Sequence, residues 1–105
     1  MQTWADVRRL CLALPEAEER KQTFRTNGRI FVNMSHEEGA ISTRAPQEEL
    51  ELLIQARPDV YFLTPHYEGW DAVLVRLDAV DEEELAGRIE DAYAFIDAKR
   101  PRKKN

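Results

Sequence analysis

Residues 64–96 read TPHYEGWDAVLVRLDAVDEEELAGRIEDAYAFI, and this stretch decides the fold. It holds a turn at 65–69, a hydrophobic strand at 72–77, an acid-rich helix start at 81–84 and an amphipathic helix that ends in Tyr93, Phe95 and Ile96. The strand is apolar on both faces apart from Arg76, which predicts a central position covered at least in part on both sides. In the helix, Leu85, Ile89, Ala92 and Ile96 recur at steps of four, three and four and form one buried stripe, with Phe95 widening it and Tyr93 beside it. Asp81 and Glu84 have the spacing of a capping box. Gly87 is unusual inside a helix and predicts a close packing contact.

Working outward, Val60 to Leu63 form a short apolar strand before the turn. Pro46 opens and Pro58 closes a second helix, in which Glu48 and Glu49 sit at the positive end. Its stripe is Leu50, Leu53 and Ile54, extended by Leu52. Further upstream, Asn27-Gly28 marks a type I′ hairpin turn, because both residues tolerate positive φ. Strands are expected at 21–26 and 29–34 around it and at 40–44 after a second turn, giving a three-stranded antiparallel meander. Alternation puts Ile30, Val32 and Met34 on one face and Arg29, Phe31 and Asn33 on the other. A first helix over 3–14 has Thr3 as N-cap, Trp4, Val7, Cys11 and Leu14 on one face with Leu10 beside them, and Pro15 as its stop. The fold class is therefore α+β, in the order α-β(3)-α-β(2)-α, with helices packed on an antiparallel sheet.

The length of 105 residues suits a single domain, expected over 1–98, followed by a basic flexible tail at 99–105. One cysteine, Cys11, allows no intrachain disulfide and fits a reducing cytoplasm. No segment has the roughly 20 apolar residues of a membrane span, so no membrane association is expected. Of the 15 basic residues, 5 lie in the tail, which leaves residues 1–98 with 10 against 20 acids, a formal −10. Such a body repels a phosphate backbone at long range.

The pieces LALPE at 12–16, GRIFV at 28–32, TPHYEGW at 64–70 and VLVRL at 73–77, in this order, resemble the MmcQ/YjbR family of small bacterial proteins over nearly the whole chain. Many members have a lysine after the hairpin glycine; here it is Arg29, which retains the charge. The resemblance implies the same element order, a fold shared with secretion chaperones, and no established enzymatic activity. It implies DNA binding through a double wing of β-hairpins. It supplies no site residues.

Candidate sites follow from the residues. Arg25 and Arg29 bracket the tight turn, with Arg20, Lys21 and Arg44 on or beside neighbouring strands, as wing tips that touch phosphates require. The bland alternative is a solvated strand edge guarded by charge. The tail cations Lys99, Arg100, Arg102, Lys103 and Lys104 would follow a phosphate backbone or an acidic partner, or fold back on the acidic body. Phe31, Phe62, His66, Tyr67 and Trp70 are the candidates for ligand or partner contact, against the commoner role of aromatics as core. His36 and His66 stand alone in separate turns, without the spacing of a metal site, and no cofactor or metal is expected. No Ser-His-Asp set, phosphate-cradling glycine loop or carboxylate pair is present as a local motif, so the expectation is a non-enzyme. The partners expected are DNA or, alternatively, a protein or peptide held on an exposed sheet or helix face, with the chain a monomer or weak dimer.

Overall fold

The structure is a computed structural model and describes residues 1–98; the basic tail at 99–105 lies outside the described residues. The elements are α1 (Trp4–Leu12), β1 (Glu18–Arg20), β2 (Thr23–Thr26), β3 (Arg29–Met34), β4 (Ala40–Arg44), α2 (Gln47–Ala56), β5 (Tyr61–Phe62), a 3₁₀ turn (Pro65–Tyr67), β6 (Ala72–Arg76) and α3 (Glu82–Asp97). The six strands form one sheet in the order β1-β2-β3-β4-β6-β5, antiparallel at every pairing. The α+β architecture is the one the sequence predicts, with one strand more at the N-terminal edge.

That strand is β1, and it changes the reading of residue 21. The expected strand over 21–26 begins only at Thr23, because Lys21 turns the chain at φ 57° in a two-residue loop between β1 and β2. Lysine carries no turn signal, so the hairpin was invisible in the sequence. The next hairpin turns at Asn27 (φ 53°) and Gly28 (φ 80°), as its two residues dictate.

One face of the sheet is packed by the helices. Val32, Ile41, Val73 and Val75 from the strands meet Val7, Cys11, Leu50, Leu85, Ile89, Ala92 and Ile96 in one core. The Cys11 thiol is fully buried there, and burial pushes its pKa up to about 12, so it stays protonated and inert. Tyr61 joins this face and donates its hydroxyl to Glu84 at 2.7 Å, while Arg57 holds the same carboxylate at 2.6 Å. Burial, together with the Glu84 bond, pushes the Tyr61 phenol upward.

Four local expectations need correcting. Phe31 is fully buried in the helix-side core, edge-on to Tyr93 with centroids 5.4 Å apart, instead of facing the other way from Val32. The register explains it: Phe24 pairs with Val32 and Arg25 with Ile30, so Phe31 is the extra residue of a β-bulge. Leu52 is exposed and does not extend the α2 stripe. Asp81 caps α3 by accepting from the Glu84 N–H, but the Glu84 carboxylate goes to Tyr61 and Arg57 rather than back to the cap. At Gly87, a Cβ would meet nothing within 4 Å, so no close packing requires a glycine there.

Gly87 thus bears the entropic penalty of a helical glycine without a compensating contact. Gly87→Ala is expected to raise folding stability by about 0.5–1 kcal/mol. Urea unfolding would show a higher midpoint at unchanged slope; a lower midpoint would mean that the position is packed.

Candidate functional site

The two sides of the sheet differ in chemistry as well as in packing. Cα partners across a ladder point their side chains the same way. Three contacts fix which side is which near the N-terminal edge: Trp4 of α1 packs on Phe24, Arg8 of α1 pairs with Glu19 at 2.7 Å, and Thr26 donates to Asp97 of α3 at 3.1 Å. Phe24, Glu19 and Thr26 therefore face the helices. Their neighbours Glu18, Arg20, Thr23 and Arg25 face away, with Ile30, Asn33, Ser42, Arg44, Leu74, Arg76 and Phe62 across the ladders.

This register separates the two hairpin arginines. Arg29 pairs with Thr26 and so belongs to the helix side, whereas Arg25 lies on the open side. There the Arg25 Nε donates to Thr23 Oγ1 at 3.3 Å and a terminal nitrogen reaches the Gly28 carbonyl at 3.4 Å. Arg20, Arg25, Arg44 and Arg76 share the open face, and Glu18 is the acid that its strands place among them. Lys21 sits in the β1–β2 loop at the edge of this surface. The tail cations Lys99, Arg100, Arg102, Lys103 and Lys104 lie outside the described residues.

The aromatic candidates divide. Phe31 is core and unavailable. Phe62 is half-buried on the open face, where the Arg76 guanidinium lies 4.0 Å from its ring centroid. The segment after β5 folds back across β6. Tyr67 buries itself against Ala72 and Leu74, with Phe62 alongside. This covers the outer side of β6, the strand next to the edge strand β5. Ser42, opposite Leu74 on this face, is buried, and its hydroxyl has no hydrogen-bond partner among the described residues.

Around Tyr67 the rings gather. His66 stands edge-on to Tyr67 at 5.0 Å and to His36 at 5.2 Å, and Trp70 is 5.8 Å from His66 and 5.6 Å from Tyr67. The two histidines, separate in sequence, are thus neighbours across two turns. Among the described residues no group of three or more His, Cys, Asp or Glu side chains is placed to hold a metal ion. Trp70 is 48% exposed, and the Arg44 guanidinium lies 5.9 Å from its ring centroid. Burial lowers the Arg44 pKa, while Tyr67 and Asp71 oppose that shift.

From the sequence Arg76 was a site candidate only for a pocket with His66 and Tyr67, and Asp71 was not one. Arg76 had a signal, being the one charge in an apolar central strand. Asp71 had none, since its place beside Arg44 and Trp70 depends on the fold of the turn.

A six-stranded antiparallel sheet with its helices on one side and an arginine–aromatic surface on the other defines a small α+β domain with an open sheet face. The YjbR family profile matches residues 12–95, and the chain belongs to the YjbR family. It is 30% identical to the uncharacterized protein Rv2570 of Mycobacterium tuberculosis and to the uncharacterized protein Mb2600 of Mycobacterium bovis, each over 89% of this chain and 87% of the relative. The crystal structure of Deinococcus radiodurans protein DR2400, with a DUF419 domain, superimposes with a TM-score of 0.77 at 25% identity, over 94% of this chain and 81% of that one. No helix among the described residues is long and apolar enough to cross a membrane.

The placement of the two tryptophans is open to a direct check. Trp4 is partly buried against Phe24, whereas Trp70 is exposed beside Arg44, which draws an anionic quencher. Iodide should therefore quench the wild type and Trp4→Phe strongly and Trp70→Phe weakly. Strong quenching that persists in Trp70→Phe would contradict the exposed position of Trp70.

Proposed function

We propose that this protein is a non-enzymatic, cytoplasmic DNA-binding protein that uses the open sheet face rather than the tip of a single hairpin. The observation that supports this is the separation of charge between the two sides. The outward surfaces of the helices hold acids, among them Glu48, Glu49 and Glu51 of α2 and Glu82, Glu83 and Glu90 of α3. The opposite side presents Arg20, Arg25, Arg44 and Arg76 from four different strands. A formal charge of −10 over residues 1–98 therefore describes the average and not the face. Local potential governs how a polyanion docks, and the arginines of β1 and β2 give it a basic strip to approach.

The arginine-rich part lies towards β1 and β2. Glu37 and Glu38 of the β3–β4 turn and Glu68 and Asp71 after the 3₁₀ turn flank the aromatic end. A phosphate backbone is thus expected to cross β1 and β2, with the aromatic end left for bases. The arginines are suited to this task because a guanidinium is always charged, offers several N–H donors and stacks on rings. The protein- or peptide-binding reading would use the sheet face near Phe31 and Phe62 or a helix face; Phe31 is in the core and Phe62 lies under the Arg76 guanidinium, which removes the sheet-face version.

Fluorescence anisotropy with labelled oligonucleotides across a salt series tests the face. Arg20→Ala with Arg25→Ala should weaken binding and reduce the slope of log affinity against log salt by about 2. Arg29→Ala, on the helix side, should leave affinity near wild type. Absence of binding even at low salt, or a loss caused by Arg29→Ala and not by the Arg20 and Arg25 pair, would contradict the proposal.

A further inference from the structure

Beside Trp70 the sheet ends in a recess of about 310 Å³, lined by Arg44, Gly69, Trp70, Asp71, Phe95 and Ile96. Its walls differ in kind. Phe95 and Ile96 of α3 give an apolar side. The half-exposed Trp70 indole gives a flat one. Arg44 supplies N–H donors and Asp71 a carboxylate acceptor. Among the described residues Arg44 and Asp71 make no ion pair within 4 Å, with each other or with any other group, although Asp71 is close enough to favour the charged arginine.

The recess is also held in shape. The Asp71 carbonyl accepts from the Ala45 N–H at 3.0 Å, and the Trp70 carbonyl accepts from the Gln47 side-chain amide. Tyr67, buried beneath, anchors the turn that carries both residues. A preformed recess with one aromatic wall and a donor and an acceptor side by side suits a planar heterocycle with its own N–H and carbonyl groups. A nucleobase has that chemistry. Within a duplex its edge is paired and its faces are stacked, so the recess is open only to an unpaired base.

We infer that the open face takes single-stranded nucleic acid, with one unpaired base seated against Trp70 in the recess formed by Arg44, Asp71, Phe95 and Ile96. This rests on the open-face reading and narrows its ligand. Arg20 and Arg25 attract the backbone of either a single strand or a duplex, whereas Trp70 discriminates between them. Asp71 accepts an N–H from the base edge.

The test compares one labelled 12-nucleotide single strand with the same sequence in a duplex, at low salt, for wild type, Trp70→Leu, Trp70→Phe and Arg20→Ala with Arg25→Ala. Wild type should bind the single strand at least about tenfold more tightly than the duplex, the scale of a base–aromatic stack. Binding should quench tryptophan emission. Trp70→Leu should bring the single strand down to the duplex affinity without changing the duplex, and Trp70→Phe should restore most of the preference. The arginine pair should lower both affinities together. Equal or tighter duplex binding, or a single-strand preference that survives Trp70→Leu, overturns the base recess while the open face stands. Wild type that binds neither probe overturns both.

Discussion

Strand β6 governs how both sides of the sheet are packed. Its residues alternate between two directions, yet Ala72, Val73, Leu74 and Val75 are all apolar and all buried. A strand of this kind must be covered on both sides. The helices cover one side through Val73 and Val75, and the turn with Tyr67 covers the other through Ala72 and Leu74. The outer cover is local. It extends over β6 and β4 and leaves β1 and β2 with a bare outward face. The asymmetry of the molecule follows from this: one fully packed side, and one side that is aromatic at one end and arginine-bearing at the other.

Much of this was legible in sequence, because the signals were local. The I′ turn at Asn27-Gly28, the capping residues Thr3 and Asp81 and the stripes of α1 and α3 each depend on chemistry within a few residues, and each is present. What was not legible depends on register. The bulge that turns Phe31 inward requires knowing that Phe24 sits opposite Val32 and Arg25 opposite Ile30. The hairpin at Lys21 uses a positive φ that no residue type announced. Glu84 has the spacing of a capping box, but a buried tyrosine hydroxyl and an arginine compete for its carboxylate and win.

The candidate site was legible in kind and not in arrangement. Arg20, Arg25, Arg44, Phe62, His66, Tyr67 and Trp70 all reach the open side or its covering turn, but Arg29 and Phe31 do not, and one cause accounts for both. In a ladder with period two, an extra residue on one strand reverses the side on which its neighbours fall. Alternation across the bulge therefore misplaced Phe31, and the turn beyond it set Arg29 opposite Thr26 on the helix side. Formal charge misled for a related reason: half of the 20 acids lie in the three helices, and sums over sequence cannot show on which face a charge lies. Arg88 shows how far position can override type. It is buried in the helix layer, donates to the Arg44 carbonyl at 3.1 Å, and its pKa is lowered by burial, so it takes no part in the exposed surface.

On the proposed function, ligand meets the outward side of the sheet. Backbone amide and arginine side-chain resonances, followed by NMR during titration with a short oligonucleotide, map that contact residue by residue. The largest shifts are expected at Arg20, Arg25, Asn33, Arg44, Trp70 and Arg76, with the outer surfaces of α2 and α3 unmoved. Shifts centred on the helices, or confined to residues 99–105, would contradict it.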